Sequence, residues 1–217
     1  MANMQPIIVT GFEPFGGQTI NASWEAVKLL PDTIANHPVN KLLLPVEFGR
    51  SGDMLCEAMA LGEKTLASKD LPCLVVCVGE AGGRSAVSVE RVAVNVQDAR
   101  IPDNAGATPH EECIVAGGPA AFFSRLPLHA CVEAARSEHI PAEISNTAGL
   151  YVCNQLMYRL LMEVQKYSFD ILGGFVHVPY TPAEACGKNA VPSMESCRAA
   201  KGLEAVVLAA LSTCEHV

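Results

Sequence analysis

The chain has 217 residues, of which 50% are hydrophobic and 18% charged, and it carries a formal net charge of −8 at pH 7. Such a hydrophobic content excludes a disordered chain, and the acidic balance without a Lys/Arg cluster argues against a nucleic-acid binder. Apolar runs stay well short of the ~18 residues that a membrane span needs, and the first residues lack the features of a signal peptide. Nine scattered cysteines favour reduced thiols, so we expect a cytoplasmic protein with no membrane association.

The first half of the chain alternates between predicted strands and helices. Strands are predicted at residues 6–10, 39–45, 74–78 and 85–96, and helices at 22–30, capped by Asn21, and at 49–68. The glycine-rich loop at 11–17 lies between a strand and a helix, as a phosphate-binding loop does. It matches neither common nucleotide-binding pattern, however, so a nucleotide site is the weaker interpretation.

The second half continues the alternation. Helices are predicted at 128–138, from Cys153 onward and at 194–211, and strands at 141–144 and 169–178. Alternating strands and helices are typical of a sheet with helices packed on both faces. We therefore predict one α/β domain over residues 1–217, a three-layer α/β/α fold with a twisted, mainly parallel central sheet.

Cys153 is the first candidate for chemistry. It opens a predicted helix whose apolar residues Leu156, Leu160 and Val164 recur every four positions. Unpaired N–H groups and the positive end of the helix dipole lie at such a position, and both favour a thiolate over a thiol. Because open α/β sheets place their sites at strand carboxyl ends, we expect Cys153, His177 and the loop at 79–84 to meet at one edge.

His177 and Glu90 are more ambiguous. A histidine within an apolar strand is either a hydrogen-bonded core residue or a working base. Glu90 is an even number of positions from each of the valines within residues 92–96. In one continuous strand its carboxylate is therefore predicted to point to the same face as their side chains. It would then need a partner, a histidine or Arg91, unless it lies at a strand edge and faces water. The remaining cysteines lack zinc-site spacing, so no metal is expected.

Six motifs follow one another in order along most of the chain. They are Thr10-Gly-Phe-Glu-Pro-Phe-Gly-Gly17, Val78-Gly-Glu-Ala-Gly-Gly-Arg84, Glu90-Arg-Val-Ala-Val-Asn95, Ala99-Arg-Ile-Pro-Asp-Asn104, Thr147-Ala-Gly-Leu-Tyr-Val-Cys-Asn154 and Gly173-Gly-Phe-Val-His-Val-Pro-Tyr180. Together they resemble the pyroglutamyl peptidase I family, also called pyrrolidone carboxyl peptidase. Six ordered motifs are far more specific than a lone cysteine or a lone glycine loop.

The resemblance implies a cytoplasmic thiol peptidase that removes an N-terminal pyroglutamate from small peptides without metal or other cofactor. It implies Cys153 as nucleophile, His177 as general base and acid, and Glu90 as the residue that orients the histidine. A homotetramer is also expected from the family. A neutral lactam ring independently suits flat aromatic walls and a few polar groups better than a carboxylate for an α-ammonium.

The same resemblance implies a set of substrate-binding residues around the lactam ring. They are the aromatic walls Phe12, Phe15 and Tyr151, the neighbouring Asn21, the bordering Arg84, and Glu80. Glu80 is a departure, because the family often carries an uncharged glutamine there, and an acid could lower affinity or add pH dependence. Two alternatives remain: a nucleoside phosphorylase-like enzyme of similar architecture, and a binding protein with a disabled site.

Overall fold

The computed structural model describes residues 4–60, 71–167 and 171–214, which form nine strands and six α-helices. The strands are β1 (Ile7–Phe12), β2 (Thr33–Ile34), β3 (His37–Leu44), β4 (Leu74–Glu80), β5 (Val87–Glu90), β6 (Val92–Val94), β7 (Ala121–Phe123), β8 (Ala142–Ser145) and β9 (Leu172–Val178). The helices are α1 (Ala22–Val27), α2 (Arg50–Ala60), α3 (Leu128–Ser137), α4 (Val152–Glu163), α5 (Pro182–Ala185) and α6 (Ser196–Cys214).

Seven strands form the central sheet in the order β2-β3-β1-β4-β9-β5-β8. The pairs β3/β1, β1/β4, β4/β9 and β5/β8 are parallel, whereas β2/β3 and β9/β5 are antiparallel. The mainly parallel sheet is therefore confirmed. Its β5 and β8 run against the direction of the four strands at its centre.

Helices cover both faces of this sheet, which confirms the three-layer α/β/α fold. Leu74, Val76 and Val78 of β4 pack into a core with α1, α3 and α6, and Val75 and Cys77 pack into a second core with α2 and α4. The alternation within one buried strand thus divides its side chains between two hydrophobic layers.

Most predicted elements are present with shifted ends. The Asn21 cap is confirmed, because its Oδ1 accepts a hydrogen bond from Ser23 N at 3.0 Å. Its helix is shorter than predicted, since α1 ends at Val27. The predicted helix at 49–68 is described only as α2, and its last part lies outside the described residues. The predicted strand at 169–178 is described from Leu172 onward, with residues 168–170 outside the description.

The predicted strand at 85–96 is wrong in one respect: it breaks at Arg91. There the backbone changes partners, with Arg91 N donating to Ser145 O of β8 at 2.8 Å and Arg91 O accepting from Ser124 N, beside β7. The second part, β6, pairs with β7 in a separate two-stranded sheet. Glu90 and the valines that follow it therefore do not share one face of a strand, because a shared face needs one continuous strand.

The direction of the Glu90 side chain is set by β5 instead. Val87 and Val89 pack into the core beneath α3 and α6, so Ser88 and Glu90 point to the opposite face of the sheet. In β9, Val176 and Val178 belong to that same first core, whereas Phe175 packs with α4. By this alternation Glu90 and His177 lie on the α4 side of the sheet.

Candidate active site

A cavity of about 580 Å³ opens at the carboxyl ends of three adjacent strands, β1, β4 and β9. The predicted site residues that line it are Phe12, Phe15, Asn21, Glu80, Arg84, Tyr151, Cys153 and His177. Glu90 is fully buried and hydrogen-bonded to His177. The structure therefore brings the predicted site residues together, at the edge where open α/β sheets place their sites.

One part of the expected arrangement is wrong: the strand before Cys153 does not end at this edge. β8 is parallel to β5, and β5 is antiparallel to β9, so the carboxyl end of β8 points away from that of β9. The segment at 146–151 connects β8 to α4 and contributes cavity walls at Ala148, Gly149 and Leu150. Cys153 thus reaches the site through this connection.

Cys153 is the second residue of α4, after the N-cap Tyr151. The first helical hydrogen bond is donated by Gln155 N to Tyr151 O at 3.2 Å, so the N–H groups of Val152, Cys153 and Asn154 have no acceptor within the helix. The predicted position of Cys153 in the first helical turn is confirmed. Its backbone N–H can therefore donate a hydrogen bond to a ligand in the cavity.

Gly79 on β4 makes space for the Cys153 sulfur. A Cβ atom at Gly79 would lie 2.9 Å from Cys153 Sγ and 2.8 Å from the Phe175 ring. Real Cβ atoms do not approach other atoms so closely, so any larger residue would displace the sulfur or the ring. The backbone of β4 is therefore the surface on which the thiol rests.

The expectation of a resting thiolate is wrong. Burial raises the pKa of the Cys153 thiol to about 12, and the charges of Glu90 and Glu80 act in the same direction, with Arg84 opposing them. The helix start offers only partial charges, whereas burial disfavours the full charge of a thiolate. The resting cysteine is therefore a thiol, and it needs a base to become a nucleophile.

His177 is suited to act as that base. Burial lowers the pKa of its imidazole below the ordinary 6.5, even though Glu90 acts in the opposite direction. His177 Nδ1 lies 2.7 Å from Glu90 Oε1, and an ionised carboxylate only accepts hydrogen bonds, so Nδ1 carries the proton. The neutral ring then has an unprotonated Nε2, which can accept a proton.

Glu90 is buried but charged. Burial opposes ionisation, yet the hydrogen bonds and charges of His177 and Arg84 outweigh it and lower the pKa of Glu90. Arg84 Nη1 donates to Glu90 Oε1 at 2.6 Å, and its Nη2 donates to Thr147 O at 2.9 Å. Among the alternatives for Glu90, the histidine partner is the one observed. Arg91 bonds Asn146 Oδ1 instead.

Aromatic side chains form one wall of the site. The Phe15 and Tyr151 ring centroids are 6.2 Å apart, and Phe48 meets Tyr151 edge-on at 5.2 Å. The Tyr151 hydroxyl donates to Pro102 O at 3.0 Å, which fixes the ring's orientation. Phe12, at the end of β1, is almost completely buried beside them. Phe48 was not predicted, because it lies outside the recognised motifs.

A second wall of the cavity is polar and is built around the start of α1. Asn21 Oδ1 accepts from Ser23 N and Oγ, and its Nδ2 donates to Glu13 O at 2.9 Å, which leaves one N–H of Nδ2 for a ligand. Glu80 Oε2 accepts from Ala22 N at 3.0 Å. Burial and the neighbouring Glu184 carboxyl raise the pKa of Glu80 to about 8. This carboxyl is therefore mostly protonated at neutral pH.

A family model described as pyroglutamyl peptidase matches residues 5–213. The chain belongs to this family. The pyrrolidone-carboxylate peptidase of Klebsiella pneumoniae is 48% identical over 210 residues, covering 96% of this chain and 94% of the relative. That of Thermosipho africanus is 47% identical over 188 residues, covering 87% and 88%. The resemblance read from the motifs is confirmed, and with it the hydrolase class.

Solved structures of pyroglutamyl peptidases also match the fold. Pyroglutamyl peptidase I of Bacillus amyloliquefaciens superposes with a TM-score of 0.88 at 40% identity and covers 95% of each chain. A mutant pyrrolidone carboxyl peptidase of Pyrococcus furiosus gives 0.86 at 39% identity, covering 97% of this chain and all of that one. The α/β fold of this pyroglutamyl peptidase family member is therefore shared with its relatives over nearly its whole length.

Two further residues shape this family member's site without having been predicted as site residues. Asn154 is buried, and its side chain bonds Val94 N, Val94 O and Val96 O at 2.9–3.0 Å, which ties the start of α4 to β6. Tyr180 lines the cavity and packs over Gly82, where a Cβ would lie 2.1 Å from its ring. Both are the last residues of recognised motifs, and that membership was the available signal.

The described part of the chain contains no group of three or more His, Cys, Asp or Glu residues positioned to hold a metal ion. Cys56, Cys77, Cys113, Cys131, Cys153, Cys186 and Cys197 are free cysteines. The glycine-rich loop forms a tight turn, in which Gly16 and Gly17 adopt positive φ values of 59° and 80°. This turn places the Phe15 ring at the cavity.

Proposed function

We propose that this protein hydrolyses the amide bond after an N-terminal pyroglutamyl residue of small peptides, with Cys153, His177 and Glu90 as its catalytic residues. Membership of the pyroglutamyl peptidase family supports the reaction. The observation that carries the residue assignment is the buried 2.7 Å hydrogen bond between Glu90 and His177, whose imidazole lines the same cavity as Cys153. A thiol, a base and an orienting carboxylate are the parts that thiol acyl transfer requires.

In the acylation step, His177 Nε2 takes the proton from Cys153 Sγ as the sulfur attacks the pyroglutamyl carbonyl carbon. The tetrahedral oxyanion is stabilised by the Cys153 backbone N–H, and losing such a donor costs about 3–4 kcal/mol. His177 then gives its proton to the leaving amine, and the C–N bond breaks. A thioester between Cys153 and the pyroglutamyl group remains.

In the deacylation step, a water molecule replaces the departed amine. His177 Nε2 accepts one of its protons while the water oxygen attacks the thioester carbonyl. Collapse of the second tetrahedral intermediate breaks the C–S bond, and His177 returns the proton to the sulfur. Free pyroglutamate leaves, and the thiol and neutral imidazole are restored. Glu90 keeps its charge throughout and stabilises the imidazolium that forms in each step.

We propose that the lactam ring lies between the aromatic wall of Phe12, Phe15 and Tyr151 and the polar wall of Asn21 and Glu80. The ring is uncharged, so its recognition needs flat apolar surface and a few hydrogen bonds. The remaining N–H of Asn21 Nδ2 is a donor on the polar wall. Arg84, already bonded to Glu90 and Thr147 O, borders the reacting groups and stabilises the charged carboxylate.

We also propose a cytoplasmic homotetramer in which one domain spans residues 1–217, without cofactor, nucleic acid or membrane association. Among the described helices, none is both long and apolar enough to cross a bilayer. A catalytic thiol needs a reducing compartment to stay active. Phe123 on β7 is 71% exposed, a surface that association between subunits would cover. Light scattering on the purified protein measures the number of subunits.

Release of a fluorophore from a pyroglutamyl-amide substrate tests the proposed activity. The reduced protein is expected to release it, and a prolyl-amide with the same fluorophore is expected to stay intact. A folded, reduced protein that releases nothing would contradict the proposal and favour a binding protein with a disabled site. Cleavage of a nucleoside in phosphate buffer would instead favour the phosphorylase-like alternative.

A further inference from the structure

Two carboxyl groups meet on a single backbone N–H at the polar wall of the cavity. Ala22 N, the first residue of α1, lies 3.0 Å from Glu80 Oε2 and 3.2 Å from Glu184 Oε1. Both oxygens compete for the same donor, so the two carboxyl groups are immediate neighbours. Two carboxylates at such a distance cannot both be ionised without strong repulsion, and one of them keeps its proton.

The hydrogen bonds indicate which carboxyl is charged. Glu184 Oε2 accepts from Thr181 N and from Thr181 Oγ1, each at 2.8 Å, in addition to the bond from Ala22 N. Within the described part of the chain, the donor to Glu80 is the shared Ala22 N. Donors stabilise the charged form of a carboxyl group, so the carboxylate belongs to Glu184 and the proton to Glu80.

Among the described residues, no cation forms an ion pair with Glu80, and the charge of Lys188 only partly offsets the rise in its pKa. Lys188 Nζ bonds the backbone oxygen of Glu184 and lies 4.3 Å from the Tyr180 ring centroid. Arg84 is bonded to Glu90 and to Thr147 O. The other titratable groups facing Glu80 are Tyr180 and Cys153, whose thiol already feels the negative charge of Glu80 when it is present.

We propose that Glu80 determines specificity as an uncharged carboxylic acid, which shares its proton with Glu184 and keeps the pocket wall neutral for a neutral lactam. An ionised Glu80 would be a counter-ion for the charged N-terminus of a prolyl peptide. The protonated form carries no charge and cannot form that ion pair. The catalytic consequences rest on the proposed peptidase function, whereas the protonation state of the pair does not.

Ionisation of Glu80 would also slow the chemistry. Its added charge raises the pKa of Cys153 further and repels the oxyanion that forms at the start of α4. The pKa of Glu80 is about 8, so kcat/KM should fall above that pH. For a single inactivating ionisation, the fall is about tenfold per pH unit.

Two isosteric variants test the pair in opposite directions. Each profile of kcat/KM between pH 6 and pH 10 (~0.5-unit steps, chosen to bracket the titration) is normalised to its own value at pH 7. Glu80→Gln cannot ionise, so the alkaline fall that begins near pH 8 should disappear. Glu184→Gln removes the neighbouring charge, so Glu80 should ionise more easily and the fall should begin at lower pH. Wild-type-like alkaline limbs in both folded variants would overturn the proposal.

Infrared difference spectroscopy on the substrate-free protein tests the proton directly. The wild-type spectrum should lose a protonated-carboxyl carbonyl band between pH 7 and pH 9.5 (a span of about one unit or more on either side of the titration). The Glu80→Gln spectrum should lack this change, and Glu184→Gln should show it at lower pH. Absence of the band in an active wild-type enzyme would refute the proton assignment. Its presence in a protein without peptidase activity would uphold the pair and refute the proposed function.

Discussion

Two glutamates lie near Cys153, the proposed nucleophile, and the pKa values of their carboxyl groups are shifted in opposite directions. Glu90 is fully buried, yet its pKa is lowered, because His177 and Arg84 donate to it and outweigh burial. Glu80 is less buried, yet its pKa is raised to about 8, because burial and the neighbouring Glu184 carboxyl act together and no charged donor outweighs them. Burial alone therefore does not decide whether a carboxyl group is charged. The charges and donors in contact with it do.

This difference divides the site into a charged side and a neutral side. On the charged side, Glu90 can stabilise the imidazolium of His177 during proton transfer. On the neutral side, an uncharged Glu80 can contact a neutral lactam ring without repelling the oxyanion that forms in the reaction. Cys153 lies near both glutamates, and the charge of either one, when ionised, raises its pKa. The expected effects of substitutions follow from which side they alter.

The largest effect is expected from Cys153→Ala, which removes the group on which both sides act. Turnover of a pyroglutamyl-amide should fall by roughly 10⁶-fold, because acyl transfer loses its nucleophile. Circular dichroism should show an unchanged fold. The matched control is Cys186→Ala, at an exposed cysteine outside the cavity. Near-wild-type turnover in Cys153→Ala would reassign the nucleophile.

Glu90→Gln alters only the charged side. The amide keeps the size of the side chain but cannot stabilise an imidazolium, so kcat should fall by roughly 10²–10⁴-fold, with a smaller change in KM. Steady-state kinetics at pH 7.5 (about one unit above the ordinary histidine pKa) measures both constants. If kcat were unchanged, Glu90 would be a structural residue and the division into two sides would fail.

Arg84→Met tests the charged side through pH dependence. Activity requires a neutral His177 and is lost as the pH falls through its pKa, which lies below the ordinary 6.5. Arg84 contributes to lowering that pKa and also the pKa of Cys153, so its removal should move the acid limb to higher pH and, by making the thiol harder to deprotonate, lower kcat/KM at neutral pH by roughly tenfold. A lower kcat/KM with an acid limb at the wild-type pH would show that Arg84 acts only in binding.

Gly79→Ala is expected to displace the proposed nucleophile without changing the charge on either side. The new methyl group would press on Cys153 Sγ and the Phe175 ring, and a displaced nucleophile typically costs about 10²-fold in kcat. The matched control is Gly173→Ala on the neighbouring strand β9, where the nearest atom to a Cβ is Leu160 Cγ at an ordinary 3.4 Å. Equal losses in the two variants would argue against a specific role for Gly79.

Much of this architecture was predictable from local sequence patterns. Apolar periodicity located α4 and therefore the position of Cys153 in its first turn, and a continuous apolar run located β9 and His177. The break at Arg91 was not predictable, because the apolar alternation continues through it while the backbone changes from β8 to β7. The correct facing of Glu90 depended on that long-range pairing.

The electrostatics of the site were less accessible from sequence. The helix-start position of Cys153 indicated a thiolate, but burial, together with the charge of Glu90, reverses that expectation. Glu80 was recognised as unusual, yet its partner Glu184 is distant in sequence and meets it only at Ala22 N. Protonation states depend on three-dimensional neighbours, which local patterns do not reveal.

Trapping the acyl-enzyme directly tests whether Cys153 is the nucleophile. The reduced protein is mixed with a pyroglutamyl-amide substrate, quenched in acid during turnover, digested and analysed by mass spectrometry. We expect one pyroglutamyl group in thioester linkage on the peptide that contains Cys153, and none in Cys153→Ala. A pyroglutamyl group on another residue, or turnover without any thioester on Cys153, would contradict it.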